Sequence, residues 1–224
     1  KIEEPFQDQY LLETYQSFLD GMILDCPTDS SEFYFKAKIN GQETCYYDGI
    51  DGKNLYFSIT SKYTTVSPST STANPSYPVK SATLSMLNEP FVQAEDFIHI
   101  GFPDFAFERD TVEYLDSIFA IEYHQVKSEL EEPDRFEVEL RMIDLVKENA
   151  GVYFPISTRF GNQDDSYIRF RNVEQIREFG HVYYSIEMEV VCSLYHWPQY
   201  GKEGLWGKVE DGIFVAKFLA KYKE

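Results

Sequence analysis

The chain is short of cysteine, of basic residues and of long apolar runs, and each shortage excludes something. Its 224 residues include three cysteines, Cys26, Cys45 and Cys192. Three thiols allow one disulfide in an oxidising compartment but no disulfide framework. Lys and Arg number 20 against 38 Asp and Glu, a formal net charge of −18, with a pI near 4.6. Phosphate binding needs a basic face, so nucleic acid is excluded as a partner, and an anionic membrane surface is disfavoured for the same reason. No apolar run exceeds four residues, Ile118–Ile121 and Ile213–Ala216 being the longest, whereas a membrane helix needs about twenty.

Chemical motifs are scarce as well. No serine sits in a G-x-S-x-G elbow and no cysteine stands in a catalytic sequence context, so nucleophilic hydrolysis has no signature. Gly201, Gly204 and Gly207 lack both the G-x-G-x-x-G spacing and a Walker lysine, which leaves them as turn formers rather than a phosphate cradle. The four histidines, His99, His124, His181 and His196, form no H-x-H or H-E-x-x-H pair, and Cys192 with His196 is a spacing without meaning on a strand end. No resident metal and no cofactor are expected. There is no N-x-[S/T] acceptor either, because Asn74 is followed by Pro75.

What is present is aromatic area. Tyr and Phe number 17 and 18, and the chain is 43% hydrophobic, too much apolar surface to leave in water. A chain of this length buries roughly 70% of its unfolded surface and needs no metal to fold. It opens at Lys1 rather than Met and shows no signal h-region, so a removed leader or a trimmed start is expected.

Two periods divide the chain. In residues 1–31, Tyr10, Leu11, Leu12, Tyr15, Phe18 and Leu19 suit one helical face that Gly21 would end, followed by a polar linker from Asp25 to Ser31. From Phe33 the period becomes two. Phe33, Phe35, Ala37 and Ile39 alternate with polar residues, and Asn40-Gly41 supplies a type I′ hairpin turn. Asp51-Gly52 and Asp211-Gly212 are further turns. Alternation returns at Leu55–Ile59, Phe97–Ile100, Ile118–Val126, Phe136–Met142, Tyr167–Val173, Val182–Cys192 and Ile213–Phe218. Cys192 shares parity with Val182, Tyr184, Ile186, Met188 and Val190, which makes it a buried thiol. Glu174–Phe179 and Ile143–Asn149 read as short helical turns, and the Ser/Thr/Pro-rich Thr64–Pro78 as an exposed loop. The expected fold is mainly β: a jelly-roll-like antiparallel β-sandwich over residues 32–224, preceded by the helical segment of residues 1–31.

Several constellations carry groups capable of chemistry. Asp48, Asp51 and Asn54 gather oxygen ligands that calcium could use, but a hairpin turn prefers the same residues. Glu122, Glu187 and Glu189 lie on the polar phase of their strands, as solvated faces do, although paired carboxylates serve glycoside hydrolysis. Tyr195-His196-Trp197-Pro198-Gln199-Tyr200 runs on to Leu205-Trp206 and brings both tryptophans of the chain into one Pro/Gly-rich connection between the last two strands. Flat aromatic faces with polar edges suit stacking on sugar rings or anchoring a protein, and they also suit capping a core. Tyr195, Trp197, Tyr200 and Trp206 are the candidate ligand-binding residues; no catalytic residue is assigned. Phe102–Phe107 is a second aromatic loop, tilted toward packing.

Phe35-Lys36-Ala37-Lys38-Ile39-Asn40-Gly41 resembles the "F-x-A-x-I-x-G" opening of secreted Bacteroidetes lipoproteins of unknown function. Val209-Glu210-Asp211-Gly212-Ile213-Phe214 resembles the "I-x-x-G-x-F" terminal hairpin of the same group. The resemblance implies a signal peptide ending at a lipidated cysteine, an extracytoplasmic β-sandwich in the periplasm or at the cell surface, anchorage to the outer membrane through a lipid absent from this chain, and no assigned activity. Asp110-Thr111-Val112 and Asp116-Ser117-Ile118 resemble the D-[S/T]-aliphatic glycosylation sites of such proteins.

The sequence therefore leads first to a non-enzymatic module that binds a glycan or an envelope protein through aromatic loops. The other readings are a structural component of the cell envelope without a small ligand and, third, a glycoside hydrolase. The burial of the two tryptophans separates the first two, since a shielded indole caps a core and cannot stack on a sugar.

Overall fold

The computed structural model describes residues 31–49, 53–65, 76–88, 97–129, 132–143, 153–196 and 205–222. The expected helical segment of residues 1–31 lies outside these apart from Ser31, and so does the Asp51-Gly52 turn.

The described chain is mainly β and antiparallel, with one short helix. Strands β1 (Tyr34–Ile39) and β2 (Gln42–Tyr47) form a hairpin whose turn residues Asn40 and Gly41 have φ of 50° and 80°, the mirror-image geometry that matches strand twist. Then come β3 (Lys53–Thr65), β4 (Ser76–Asn88), β5 (Phe97–Gly101), β6 (Phe105–Ala106), α1 (Thr111–Phe119), β7 (Tyr123–Gln125), β8 (Glu137–Ile143), β9 (Tyr153–Ser157), β10 (Tyr167–Glu178), β11 (His181–His196) and β12 (Leu205–Lys221). A 3-10 turn, Thr158–Phe160, follows β9.

All these strands belong to one sheet with the order β2-β1-β12-β11-β9-β8-β5-β4-β3. Most neighbours along this order are consecutive in the chain; β1–β12, β11–β9 and β8–β5 are not, and β1–β12 joins the first and last described strands. Two forks widen it: β11 carries both β10 and β9 on one edge, and β4 carries both β5 and β6. The path ends at β3 and β2, and Phe57 of β3 stacks on Phe218 of β12 with ring centroids 4.2 Å apart. The sheet is thus curled until it is nearly a barrel, and a single core fills it. Phe35, Ile39, Leu84, Met86, Ile98, Ile100, Val138, Leu140, Met188, Val190, Leu194, Val209 and Phe214 are wholly buried there.

Strand β12 is continuous where a turn at Asp211-Gly212 is expected. Asp211 has φ 52°, and the register slips against both β11 and β1 at this point. The pair makes a β-bulge, which the left-handed Asp and a glycine without Cβ both permit. A Cβ on Gly212 would stand 2.4 Å from the Val190 carbonyl oxygen.

Other expectations are corrected by the pairings. Glu174–Phe179 is no helical turn: β10 runs to Glu178, and Phe179-Gly180, with φ of 51° and 87°, closes its hairpin to β11. Ile118–Ala120 is no strand but the end of α1, because Asp110 Oδ1 accepts from the amides of Val112 (2.9 Å) and Glu113 (3.3 Å) and starts a helix there. The Thr64–Pro78 loop is shorter than expected: Thr64 pairs with Tyr77 and Thr65 with Ser76, extending the β3–β4 ladder, and residues 66–75 lie outside the described residues. β-branched threonine suits a ladder whether or not it faces a core. Of Ile143–Asn149 only Ile143 is described, as the last residue of β8.

Helix α1 lays Val112, Leu115, Ile118 and Phe119 on the core, and Tyr184 of β11 donates from its hydroxyl to Asp116 Oδ1 at 2.6 Å. Its C-terminal end is held by His124 of β7, whose Nε2–H donates to the carbonyls of Ile118 (3.0 Å) and Ile121 (3.1 Å). Burial against Phe136 and Phe170 holds the imidazole pKa below its ordinary value, outweighing those hydrogen bonds. A base with a depressed folded-state pKa contributes stability that is complete above its unfolded pKa and is lost as pH falls. Between about pH 7 and about pH 5, the urea midpoint of the wild type is expected to drop further than that of a His124→Gln variant. Equal drops would mean that His124 is not held neutral.

Candidate functional site

The alternation in β11 decides what lies at its far end. Val182, Tyr184, Ile186, Met188, Val190, Cys192 and Leu194 are buried, so the odd-numbered positions face outward, and Tyr195 is the last described side chain of that series. Cys192 is a free buried thiol as expected, its pKa pushed up by burial. Cys45 is disulfide-bonded, and its partner lies outside the described residues.

Tyr195 is held from two sides. Its ring lies over Gly161, where a Cβ would stand 2.4 Å from Cδ1 and Cε1, and its hydroxyl donates to the Asn162 carbonyl at 2.7 Å. The loop beneath is fastened to β11 by Gln163, itself 8% exposed. Gln163 Nε2 donates to the carbonyls of Thr158 (2.9 Å) and Ser193 (2.8 Å), while its Oε1 accepts from the Ser193 amide (3.1 Å) and the Ser166 hydroxyl (2.6 Å). The ring is half-buried, and Leu205, its partner across the β11–β12 ladder, is 54% exposed. Together they form a semi-rigid apolar spot where the chain leaves β11 and enters β12.

The strands reach further into this region than expected: β11 runs to His196 and β12 begins at Leu205. Trp206 is only 8% exposed and packs in the core cluster, so little of its ring reaches the surface. It is anchored from the β1–β2 turn, where Asn40 Nδ2 donates to the Trp206 carbonyl (3.3 Å) and Asn40 Oδ1 accepts from the Lys208 amide (2.9 Å). Gly207 permits that approach, since a Cβ there would stand 2.6 Å from Asn40 Nδ2. Trp197 and Tyr200 lie outside the described residues.

A polar layer lies beside Tyr195 on the outward face. Ser85, His99, Glu139, Ser157 and Tyr195 stand in direct register across β4, β5, β8, β9 and β11. Ser85 and His99 share a 2.8 Å hydrogen bond between Oγ and Nδ1. Glu139 is 4% exposed, Ser85 5% and Ser157 not at all. The 3-10 turn brings Arg159 over the layer, 3.1 Å from Glu137 Oε1 and 3.9 Å from Glu139 Oε2, with the guanidinium over the Phe160 ring. Lys127 reaches Glu137 at 3.7 Å, and the Ser157 hydroxyl donates to it at 3.0 Å. A serine, an imidazole and a carboxylate in line are the ingredients of an activated nucleophile. Burial of the serine and the claim of Arg159 on the carboxylates make this layer a closed support for Tyr195 instead. Sequence reading missed it because each member looks like an ordinary outward polar residue; only the register lines them up.

The remaining candidates resolve into local structure. Asp48 Oδ1 accepts from the Leu55 amide at 2.7 Å, as a turn carboxylate does, and Asp51 is outside the described residues. No group of three His, Cys, Asp or Glu side chains among the described residues could hold a metal ion. Glu122 pairs with Arg169 (2.6 Å), Glu189 with Arg171 (2.9 Å), and Glu187 accepts from Asn172 (3.0 Å), a solvated ladder on the outer face. Phe102 and Phe105 are buried and Phe107 is 43% exposed. Asp110 is the cap of α1, and the Ser117 hydroxyl donates to the Tyr114 carbonyl (2.6 Å) while accepting from Arg109 (2.9 Å).

The chain matches no protein-family model, no curated protein and no solved structure.

Removing Arg159 takes the guanidinium from Glu137 and Glu139 and leaves Glu137 to Lys127 and the Ser157 hydroxyl. Arg159→Ala is expected to cost about 2 kcal/mol in urea unfolding, less than a fully buried pair because the guanidinium is partly exposed. Arg159→Ala/Glu139→Gln should recover part of that loss. An unchanged midpoint in the single variant would show that the carboxylates do not need the arginine.

Proposed function

We propose that this protein is a non-enzymatic, extracytoplasmic module that recognises a glycan or an envelope protein through the aromatic end of β11 and β12. The observation that carries the reading is the fixation of Tyr195, a half-buried ring laid on Gly161 and tied through its hydroxyl to Asn162. A ring held in place before binding loses little entropy on binding, and sugar rings stack on such faces. Trp197 and Tyr200 follow within a few residues in the sequence and extend the aromatic supply. Trp206 serves as an anchor of β12 rather than as a stacking face, in keeping with its burial.

The disulfide at Cys45 supports an oxidising compartment, the periplasm or the cell surface. The resemblance of Phe35–Gly41 and Val209–Phe214 to secreted lipoproteins supports the same location, with a lipid outside this chain as the membrane contact. The finer architecture we favour is sandwich-like: Phe57 on Phe218 brings opposite halves of the curled sheet together as two layers. The jelly-roll version calls for crossing connections, and β1–β12, β11–β9 and β8–β5, whose partners are not consecutive in the chain, are compatible with it.

A structural envelope component without a small ligand is the second reading, favoured by Leu205, whose 54% exposure suits a protein surface better than a sugar. A glycoside hydrolase is the least supported, since Arg159 holds Glu137 and Glu139 and the outer-face glutamates are paired.

A glycan array probed with wild type, Tyr195→Ala and Trp197→Ala tests the proposal. Binding by the wild type that disappears in both variants, each still folded by circular dichroism, is the expected result. No binding by folded wild type would overturn the glycan reading and turn the search to an envelope protein.

A further inference from the structure

The outward face of β2, β1 and β12 is largely apolar, where a solvated sheet face would be polar. Phe35, Ala37 and Ile39 of β1 and Phe214 and Ala216 of β12 point into the core, so the residues between them point out. Register sets Tyr47, Tyr34 and Val215 in one outward row and Cys45, Lys36 and Ile213 in the next. The Tyr34 and Tyr47 rings meet with centroids 5.8 Å apart. Strand β2 ends the sheet order, yet its outward Cys45 is 2% exposed and its outward Tyr47 9%. Burial of that depth on the outer side of a terminal strand requires chain packed over it. Helix α1 lies on the core side and does not supply the cover.

The thiols identify the chain that does. There are three cysteines. Cys192 is a free thiol inside the core and Cys45 is disulfide-bonded, so within one chain the partner of Cys45 is Cys26. Seven residues before Cys26 ends the apolar stripe of Tyr10, Leu11, Leu12, Tyr15, Phe18 and Leu19. A stripe of that kind needs an apolar surface to cover. Charge agrees with the fit. Residues 1–25 carry six Asp and Glu against one Lys, and Lys36 is exposed at the centre of the face.

We propose that the stretch from Tyr10 to Leu19 docks on this outward face, over Tyr34, Tyr47, Ile213 and Val215, and that a Cys26–Cys45 disulfide staples it there. The connection is long enough. Cys26 stands eight residues before Tyr34, and Cys45 lies one row further along β1, opposite Lys36. A disulfide holds its two Cα atoms within roughly 7 Å, and eight residues reach about 28 Å, so the chain can double back across the face. Forming the S–S bond takes two electrons and two protons from the thiols and gives them to an external disulfide, which becomes a dithiol. While the staple holds, this face is closed to other partners. The docking does not depend on the glycan reading of the Tyr195 end.

The test is made on the full chain, isolated without reductant. Alkylation in denaturant followed by non-reducing digestion should yield a Cys26–Cys45 linked peptide and an alkylated Cys192. In native hydrogen exchange, the amides of Tyr10–Leu19 should exchange at least about tenfold more slowly than in a free peptide of residues 1–30. Hydroxyl-radical footprinting then locates the contact. Leu12→Asp/Phe18→Asp/Cys26→Ser should raise oxidation of Tyr34 and Tyr47 several-fold while exchange along β4 and β5 stays as in the wild type. The exchange measurement needs no variant, so it decides alone should the triple variant not fold. The proposal is overturned if Cys45 is linked to Cys192 or to a second chain, if Tyr10–Leu19 exchanges at the free-peptide rate, or if the folded variant leaves Tyr34 and Tyr47 as protected as before.

Discussion

The antiparallel ladder between β11 and β12 is the constraint on which the rest of the fold depends. It runs from Val182 opposite Lys221 to Tyr195 opposite Leu205, and along it the inward residues Tyr184, Ile186, Met188, Val190, Phe214, Ala216 and Phe218 are buried together. Large side chains of this kind contribute roughly 1.5–3 kcal/mol each on burial. Every other part of the sheet is attached to one side of this pair. β1 and β2 join at the free edge of β12, while β9 and β10 share the free edge of β11 and lead the chain on to β8, β5 and β7. The bulge at Asp211-Gly212 lets one long strand serve two neighbours of different register. Curling follows, because a twisted sheet of this width turns its edges inward, and Phe57 on Phe218 marks where the β3 edge comes over β12.

From that ladder the chemistry of the surface follows by parity. Because the even positions of β11 face the core, Tyr195 faces out, and the loop pinned by Gln163 gives its ring a floor. The same parity on β4, β5, β8 and β9 puts Ser85, His99, Glu139 and Ser157 on the outer face, in line with Tyr195. Their burial raises the stakes of each hydrogen bond, since an unmet polar group in that layer would cost more than at an open surface. Arg159, carried in by the 3-10 turn, answers the charge.

The strand periods, the Asn40-Gly41 turn and the buried parity of Cys192 were all legible in the sequence, because period two and turn chemistry are local signals. What misled were signals with two local meanings. Asp211-Gly212 suits a turn and a bulge alike, and only the two neighbouring strands decide between them. Ile118–Val126 alternates, yet Asp110 capping and the core contact of Leu115 and Phe119 win a helix for its first residues. At the candidate site, the sequence pointed to the aromatic end of β11 but gave Trp206 a surface role that its packing denies. The Ser85–Tyr195 row was invisible, since it is assembled from residues distant in the chain and each residue alone looks ordinary.

Amide hydrogen exchange followed by mass spectrometry or NMR tests the central place of the β11–β12 ladder most directly. The slowest amides should be those of Tyr184–Val190 and Phe214–Phe218, exchanging only through global unfolding, while amides along the free edge of β3 exchange through smaller openings. If the β3–β4 hairpin proved as protected as β11 and β12, or if β11 and β12 opened first, the sheet would have a different centre and the support described for Tyr195 would lose its basis.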